Sequence, residues 1–422
     1  MRKRRVLIVT YFWPPSGKAT AHWPLAMSRR LPALGWEPVV LTIDKDTFAQ
    51  QDLSLAEAVD PSIQVVRART VEPFDIYRRF LGKDLFAPLT ASEVISREVG
   101  GMRHRLAIWI RMNLFVPDAR VGWYRNAVRA GYGALSENPV DAVLTVGPPH
   151  TVHLVGRTLA RRFGLPHVPV FIDPWVDIVY YLGFRRNPLT VFLDKALERS
   201  VLGSCASAIF VTHTMRTDYV EKYSFLGEKS SVIPWGYDEE PFQRLRVPKK
   251  KRRGEVLLHA GNIFDYQNPA SLWNTIGKLV KNGRNIRLVF VGTVGPGVKA
   301  SIEEHGLAGR TEYRGFLPYG EMLRELMQAT YLLVCATEPR HVPGKLFEYL
   351  RTGKPILAYG NDNREVEDIL VRTGGGMLVP FSDGAEEFFR RAKRFRTDLK
   401  AVRQYERGVL AGRLVEILET LV

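Results

Sequence analysis

The residues best suited to chemistry lie in the stretch Glu338-Pro339-Arg340-His341-Val342-Pro343-Gly344-Lys345-Leu346-Phe347-Glu348. Pro343 and Gly344 end an irregular segment and set Lys345 in the first turn of a helix. A cation there opposes the positive end of the helix dipole, which costs stability unless an anion is bound. Glu348 follows three residues on, along the same face, where a carboxylate suits two neighbouring hydroxyls of a sugar such as ribose. Together the two side chains describe a binder of a nucleoside diphosphate. Lys345, with the backbone of Gly344 and Leu346, is on the phosphates and Glu348 is on the ribose.

Other loops carry weaker signals. Tyr11-Phe12-Trp13-Pro14-Pro15-Ser16-Gly17-Lys18 leads into a helix running to about Leu34, and small residues such as Gly17 let backbone N–H groups approach a phosphate. The spacing is neither that of a Walker loop nor a G-x-G-x-x-G fingerprint. Gly147-Pro148-Pro149-His150 and Asp173-Pro174-Trp175 place imidazole and carboxylate after two apolar runs. His150 and Asp173 there suit positioning a substrate hydroxyl or polarising a bond. The plainer alternatives are a helix N-cap for Asp173 and a packed core ring for His153. Gly261-Asn262 and Gly292 each close an apolar run in the second half of the chain. No spacing of His, Cys, Asp and Glu resembles a zinc site, and no Gly-x-Ser-x-Gly elbow occurs.

These loops need a scaffold to bring them together, and the hydrophobic pattern supplies one. Apolar runs recur at Val6–Thr10, Val39–Thr42, Ala142–Val146, His167–Ile172, Ala208–Thr212, Val256–Ala260, Ile286–Gly292, Tyr331–Cys335 and Pro355–Ala358, with helical patterns between them. Val-, Ile- and Leu-rich runs alternating with helices predict parallel strands covered on both faces, a doubly wound α/β protein. Ligands of such sheets lie beyond the carboxyl ends of the strands, where all the loops above fall. The pattern occurs twice. Pro234, Pro241 and Pro248 bracket a basic run, 244–253, between the repeats and mark a linker. The helical tail after Ala401 either packs locally or crosses back to the first domain.

The 422 residues, 45% hydrophobic and 25% charged, exclude a disordered or fibrous chain, and two cysteines, Cys205 and Cys335, exclude a disulfide framework. Lys and Arg number 60 against 44 Asp and Glu, a net charge of +16 that favours anionic partners. Nucleic acid is not expected, because no RNP aromatic motif, zinc finger or recognition helix accompanies the basic runs. Leu106–Val116 reads as an amphipathic helix flanked by Arg103, Arg105 and Arg111. It is either a packed insertion or a flap for an anionic lipid surface. Arg2–Arg5 before Val6–Val9 imitate an export signal, but Pro14-Pro15 interrupts it and no span is long enough to cross a bilayer, so a cytoplasmic or inner-face location is expected.

Taken in order, these motifs resemble the retaining glycosyltransferases of the GT-B fold, family 4. Tyr11–Gly17, Gly35–Thr42, Val116–Trp123, Gly147–His150 and Asp173–Trp175 are similar to the subgroup that assembles cell-surface polysaccharides. Gly315-Phe316-Leu317, Pro343–Leu350 and Gly374-Gly375-Gly376 match in the second half. The resemblance implies a GT-B architecture of two Rossmann-like parallel-sheet domains facing across a cleft. Residues 1–238 would hold the acceptor and 239–402 the nucleotide sugar, with 403–422 packing back on the first domain. The donor would be a nucleoside-diphosphate sugar and the acceptor a glycan or lipid-linked molecule. No metal or other cofactor would be obligatory.

The resemblance further implies Glu348 on ribose, Lys345 on the diphosphate, the backbone of Gly315 and Phe316 on the base, and Gly17 bordering the phosphates. Gly261, Asn262, Gly292, Gly344 and Leu346 complete the donor set. Its front-face mechanism makes the leaving phosphate the acceptor of the incoming hydroxyl's proton, so catalysis rests on fixed cations and N–H dipoles. Two departures stand out. The family's Glu-x7-Glu places its first glutamate at Arg340, with Glu338 two residues away, and 261–269 lacks the usual basic residue. Either Arg340 reaches the diphosphate in its place, or the protein is a poor enzyme. A nucleotide-sugar epimerase or hydrolase on the same fold is the enzymatic rival, and a catalytically silent basic binding protein the other.

Overall fold

A computed structural model describes residues 3–45, 51–70, 102–178, 181, 186–246 and 254–422. The chain divides into two compact units, residues 1–233 with 411–422, and residues 234–410.

The first unit is built on seven strands, β1 (Arg4–Thr10), β2 (Trp36–Ile43), β3 (Gln64–Ala68), β4 (Ala142–Gly147), β5 (His167–Phe171), β6 (Ala208–Phe210) and β7 (Ser230–Val232). They pair in parallel in the order β3-β2-β1-β4-β5-β6-β7, with Val6 opposite Pro38 on one side and Ala142 on the other. β1 and β4 are buried along their apolar runs because helices cover both faces. On one face Leu7, Val9, Val39 and Leu41 pack against Trp123, Val152, Val155 and Leu159.

The second unit repeats the plan with β8 (Glu255–Ala260), β9 (Ile286–Val291), β10 (Thr311–Tyr313), β11 (Tyr331–Cys335), β12 (Ile356–Tyr359) and β13 (Gly376–Val379), in the order β10-β9-β8-β11-β12-β13. The period of two divides its core cleanly. Val256, Leu258, Val289, Leu332 and Val334 face Leu323, Leu346, Phe347, Leu350 and Ile369. Leu257, Leu288, Phe290 and Leu333 face Leu272, Trp273, Ile276, Val298 and Ile302. Burying each such side chain contributes roughly 1.5–3 kcal/mol. In both sheets the order reverses between the first and fourth strands of the unit, β1/β4 and β8/β11, leaving a crevice at their carboxyl ends.

Each expected apolar run forms a strand. The four edge strands, β3, β7, β10 and β13, escape the pattern because they are short, three to five residues, and three of them are in part polar, as in Ser230-Ser231-Val232. The expected amphipathic helix spans Met102–Leu114, starting earlier than its apolar run. Of the basic run at 244–253, residues 247–253 lie outside the described residues, as do the side chains of Arg103 and Arg105. Asp173 lies in a bend, and the next α-helix among the described residues begins at Pro188, so no described α-helix starts beside Asp173 for it to cap.

Candidate active site

The switch point of the second sheet brings together residues expected from the sequence to bind a nucleotide sugar. Lys345 opens the helix Lys345–Thr352, with Gly344 as its cap. Its ammonium turns back toward the strand ends and stands 3.3 Å from Nε2 of His259 on β8. Nδ1 of His259 lies 2.9 Å from the Leu333 carbonyl. A ring donating there leaves Nε2 as acceptor for the lysine. Burial, reinforced by the adjacent lysine, pushes His259 down to about 3, so the ring is neutral at pH 7. Burial likewise pushes Lys345 down to about 8, against the pull of Cys335 and Glu348. An ammonium held this way, short of a carboxylate partner, is arranged for an incoming anion.

Glycine makes room for it. A Cβ on Gly261 would sit 2.5 Å from Lys345 Nζ, and Gly261 adopts φ +106. Gly292, at φ +114, packs so closely that a Cβ there would meet the Gly261 carbonyl oxygen at 2.6 Å. Gly292 N–H donates to the Gly315 carbonyl at 2.7 Å, so the turns after β8, β9 and β10 stack into one backbone wall. Phe316 stands exposed beside it. The Asn262 side chain is engaged within the wall, its Oδ1 accepting from Thr293 N–H at 3.1 Å.

Glu348 faces the same side of the helix one turn on. Its Oε1 accepts from the Tyr319 hydroxyl at 2.8 Å. Burial raises its pKa, while the Tyr319 bond and then the Arg407 charge hold it down. Arg407 is buried, and its Nε donates to the Trp235 carbonyl at 3.3 Å. Gly344 packs against the Trp235 ring, where a Cβ would approach to 2.6 Å. Tyr319, Arg407 and Trp235, which support Glu348 and Gly344 here, were not singled out from the sequence. Tyr319 follows Gly315-Phe316-Leu317 closely enough to have been found, whereas nothing local marks Arg407.

Glu338 and Arg340 lie on the turn after β11, Arg340 exposed and Glu338 half-buried. Asn363, wholly buried, fixes that turn: its Nδ2 donates to the Glu338 and His341 carbonyls at 2.9 and 3.0 Å while its Oδ1 caps the next helix at Val366 N–H. The N-cap position before Arg364-Glu365 was a sequence signal for Asn363.

In the first unit, Gly17, His150 and Asp173 occupy loops at the carboxyl ends of β1, β4 and β5. Gly17 is half-buried beside exposed Lys18. His150 is buried, its ring parallel to Trp175 at 5.0 Å, and burial pushes it down to about 3. That is the setting of a packed ring, neutral at pH 7. His153 is a core residue, its Nδ1 2.7 Å from Thr145 Oγ1. Asp118 binds the start of the helix Thr151–Phe163 through Thr151 N–H and Oγ1, at 2.8 and 2.9 Å.

The Asp173-Pro174-Trp175 loop is held by two buried carboxylates that sequence reasoning did not single out. Asp194 accepts from Trp175 Nε1 and from Arg186, each at 2.7 Å. Glu198 accepts from Tyr219, Tyr223 and Lys222 at 2.8, 2.9 and 2.6 Å, and from Val176 N–H at 3.2 Å. Among the described residues no group of three or more His, Cys, Asp and Glu is placed to hold a metal ion, and no helix is long and apolar enough to cross a membrane.

Two parallel sheets of one strand order, the second ending in a glycine wall around a lysine and a carboxylate, give the chain the fold of the GT-B glycosyltransferases. Residues 254–398 match the family model described as Glycosyl transferases group 1. No curated protein matches the chain. Among solved structures, a glycosyltransferase from Rickettsia africae ESF-5 aligns at TM-score 0.65 and 13% identity, over 100% of this chain and 99% of that one. Sucrose-phosphate synthase from Thermosynechococcus elongatus aligns at 0.62 and 12% identity, over 99% of both chains. Anabaena HepE in complex with UDP and glucose aligns at 0.61 and 12% identity, over 99% of this chain and 100% of that one. At such identities the likeness is one of fold.

Proposed function

We propose that the protein is a retaining glycosyltransferase, moving a hexosyl group from a nucleoside-diphosphate sugar to a glycan or lipid-linked acceptor in polysaccharide assembly. The observation that carries the reading is the Lys345 ammonium, depressed in pKa and set against glycine turns at the second switch point, with Glu348 one helical turn away. In this reading Lys345 and the N–H groups of the helix start neutralise the diphosphate, Glu348 takes the ribose hydroxyls, and the Gly315–Phe316 backbone meets the base. The HepE complexes make uridine diphosphate the first nucleotide to try. Glu338 and Arg340 supply further contacts on the sugar and phosphate.

Transfer then breaks the bond between the anomeric carbon and the diphosphate oxygen as the acceptor oxygen bonds the same face of that carbon. The acceptor proton passes to the departing phosphate oxygen, and the negative charge that develops is met by fixed cations and dipoles. No residue of the chain need act as nucleophile. The first unit, with Asp173 and the loop around His150, is assigned the acceptor, and the protein is placed on the inner face of the cell membrane.

A thermal-shift screen against nucleoside diphosphates and their sugars tests this. A ligand at a hundred times its dissociation constant raises stability by about 2.7 kcal/mol. Stabilisation by one base series is expected. No shift with any nucleotide would remove the donor site. Conversion of the donor without an acceptor would favour an epimerase or hydrolase.

A further inference from the structure

The helix Pro188–Ser204 is inverted. Its inward face carries Asp194 and Glu198, both fully buried, while Leu189, Phe192 and Leu193 point outward with 64%, 67% and 44% of their surface exposed. A helix of a soluble unit ordinarily turns its apolar stripe inward and its charges to water. The inner polar face is accounted for by the network around Trp175, Tyr219 and Lys222, but nothing within the described residues covers the outer apolar one.

A second helix extends this face. Met102–Leu114 meets the start of Pro188–Ser204 at Asn113, whose Oδ1 accepts from Asn187 N–H at 2.5 Å and whose carbonyl accepts from Thr190 Oγ1 at 2.9 Å. Beside that junction Leu114 is 62% exposed, and Leu106 and Trp109, three residues apart on the same helix, are also exposed. Exposed apolar side chains grouped on two adjoining helices mark an interaction surface.

Charge identifies the occupant. The helix Met102–Leu114 contains no Asp or Glu but three arginines, and the only carboxylates of Pro188–Ser204 are the two buried ones. Exposed charge on the latter helix is therefore Lys195 and Arg199 alone. Leucines, a phenylalanine and a tryptophan, with Lys195 and Arg199 as the exposed charges of the second helix and no exposed carboxylate on either helix, fit a bilayer surface bearing anionic lipid. There the apolar groups enter the acyl boundary and the cations meet headgroup phosphates. A protein partner of ordinary surface would not call for a rim of one sign.

We infer that the Leu106–Leu114 and Leu189–Arg199 faces together dock the protein on an anionic lipid surface. The inference deepens the inner-membrane part of the proposed function and rests on it only for which membrane is met.

The test is co-sedimentation of the full chain with vesicles of phosphatidylcholine, with and without phosphatidylglycerol, for wild type, Phe192→Ser/Leu193→Ser and Lys195→Glu/Arg199→Glu. Both substituted pairs are exposed, so melting temperature and the nucleotide-induced shift should stay at wild-type values. This separates docking from the donor-site reading. Wild type is expected to sediment with the phosphatidylglycerol vesicles, and each double variant to bind them at least about tenfold more weakly. Failure of wild type to sediment, or equal binding by the variants, would overturn the proposal. So would a change of oligomeric state in Phe192→Ser/Leu193→Ser without a change in vesicle binding, which would make the face a contact between copies.

Discussion

Lys345 Nζ and His259 Nε2 stand 3.3 Å apart, a cation facing a neutral ring rather than a carboxylate. The pair leaves the lysine positive charge uncompensated at short range, and burial lowers its pKa to about 8. Under the proposed function the protonated form is the one that binds a diphosphate, and a bound dianion would raise the pKa again. Donor affinity should therefore be level below pH 8 and fall as pH rises through it, at up to about tenfold per pH unit. Calorimetry above pH 8 in buffers of different ionisation enthalpy should show proton uptake on binding.

Glu348 sits between Tyr319 and the charge of buried Arg407, both of which favour its ionised form. Arg407→Met should push the carboxyl further up, so that donor KM rises more at pH 6 than at pH 8, with kcat at saturating donor little changed. Tyr319→Phe should act in the same direction and less strongly. An equal KM effect at both pH values would show Arg407 to be merely structural. Glu348→Gln, which removes the charge itself, should raise donor KM about tenfold to a hundredfold, by the roughly 1.5–3 kcal/mol of a charged hydrogen bond.

Gly261→Ala places a methyl group on the lysine and asks an L-residue to hold φ +106. The backbone strain costs about 1–2 kcal/mol. Melting temperature should fall modestly, while donor affinity falls by more than the stability loss explains because Nζ must move. Paired thermal melts and nucleotide titrations separate the two effects.

Glu198→Ala strips the carboxylate that binds Tyr219, Tyr223, Lys222 and the Val176 N–H. Loss of one partner from a buried ionic network costs about 3–5 kcal/mol. A melt should show the loss, and turnover should fall through the Asp173-Pro174-Trp175 loop while nucleotide binding is retained.

How much of this was legible follows from where the physics is local. The strands on either side of each switch point announce themselves, because burial on both faces demands runs such as Val6–Thr10 and Tyr331–Cys335. Thr311-Glu312-Tyr313 does not, since an edge strand of three residues needs no apolar pattern. Lys345 and Glu348 were readable from a helix start and one turn of spacing. Arg407 was not, because its relation to Glu348 is made by the pairing of Tyr237 with Tyr405 and Arg407 across the unit's two ends. Asp194 and Glu198 look like solvent-facing charges in sequence, and only the inverted helix shows them buried. His150 lies in a readable motif, yet its stacking on Trp175 makes it a packed ring.

The central claim is that the second switch point holds a nucleoside diphosphate through Lys345. Calorimetric titration at pH 7 of the nucleoside diphosphate that most stabilises the protein, uridine diphosphate first, into wild type and Lys345→Ala tests it directly. Loss of a charge-assisted phosphate contact is expected to weaken binding about tenfold to a hundredfold, with the melting temperature of the free protein held or raised. Equal affinity of the two proteins would contradict it.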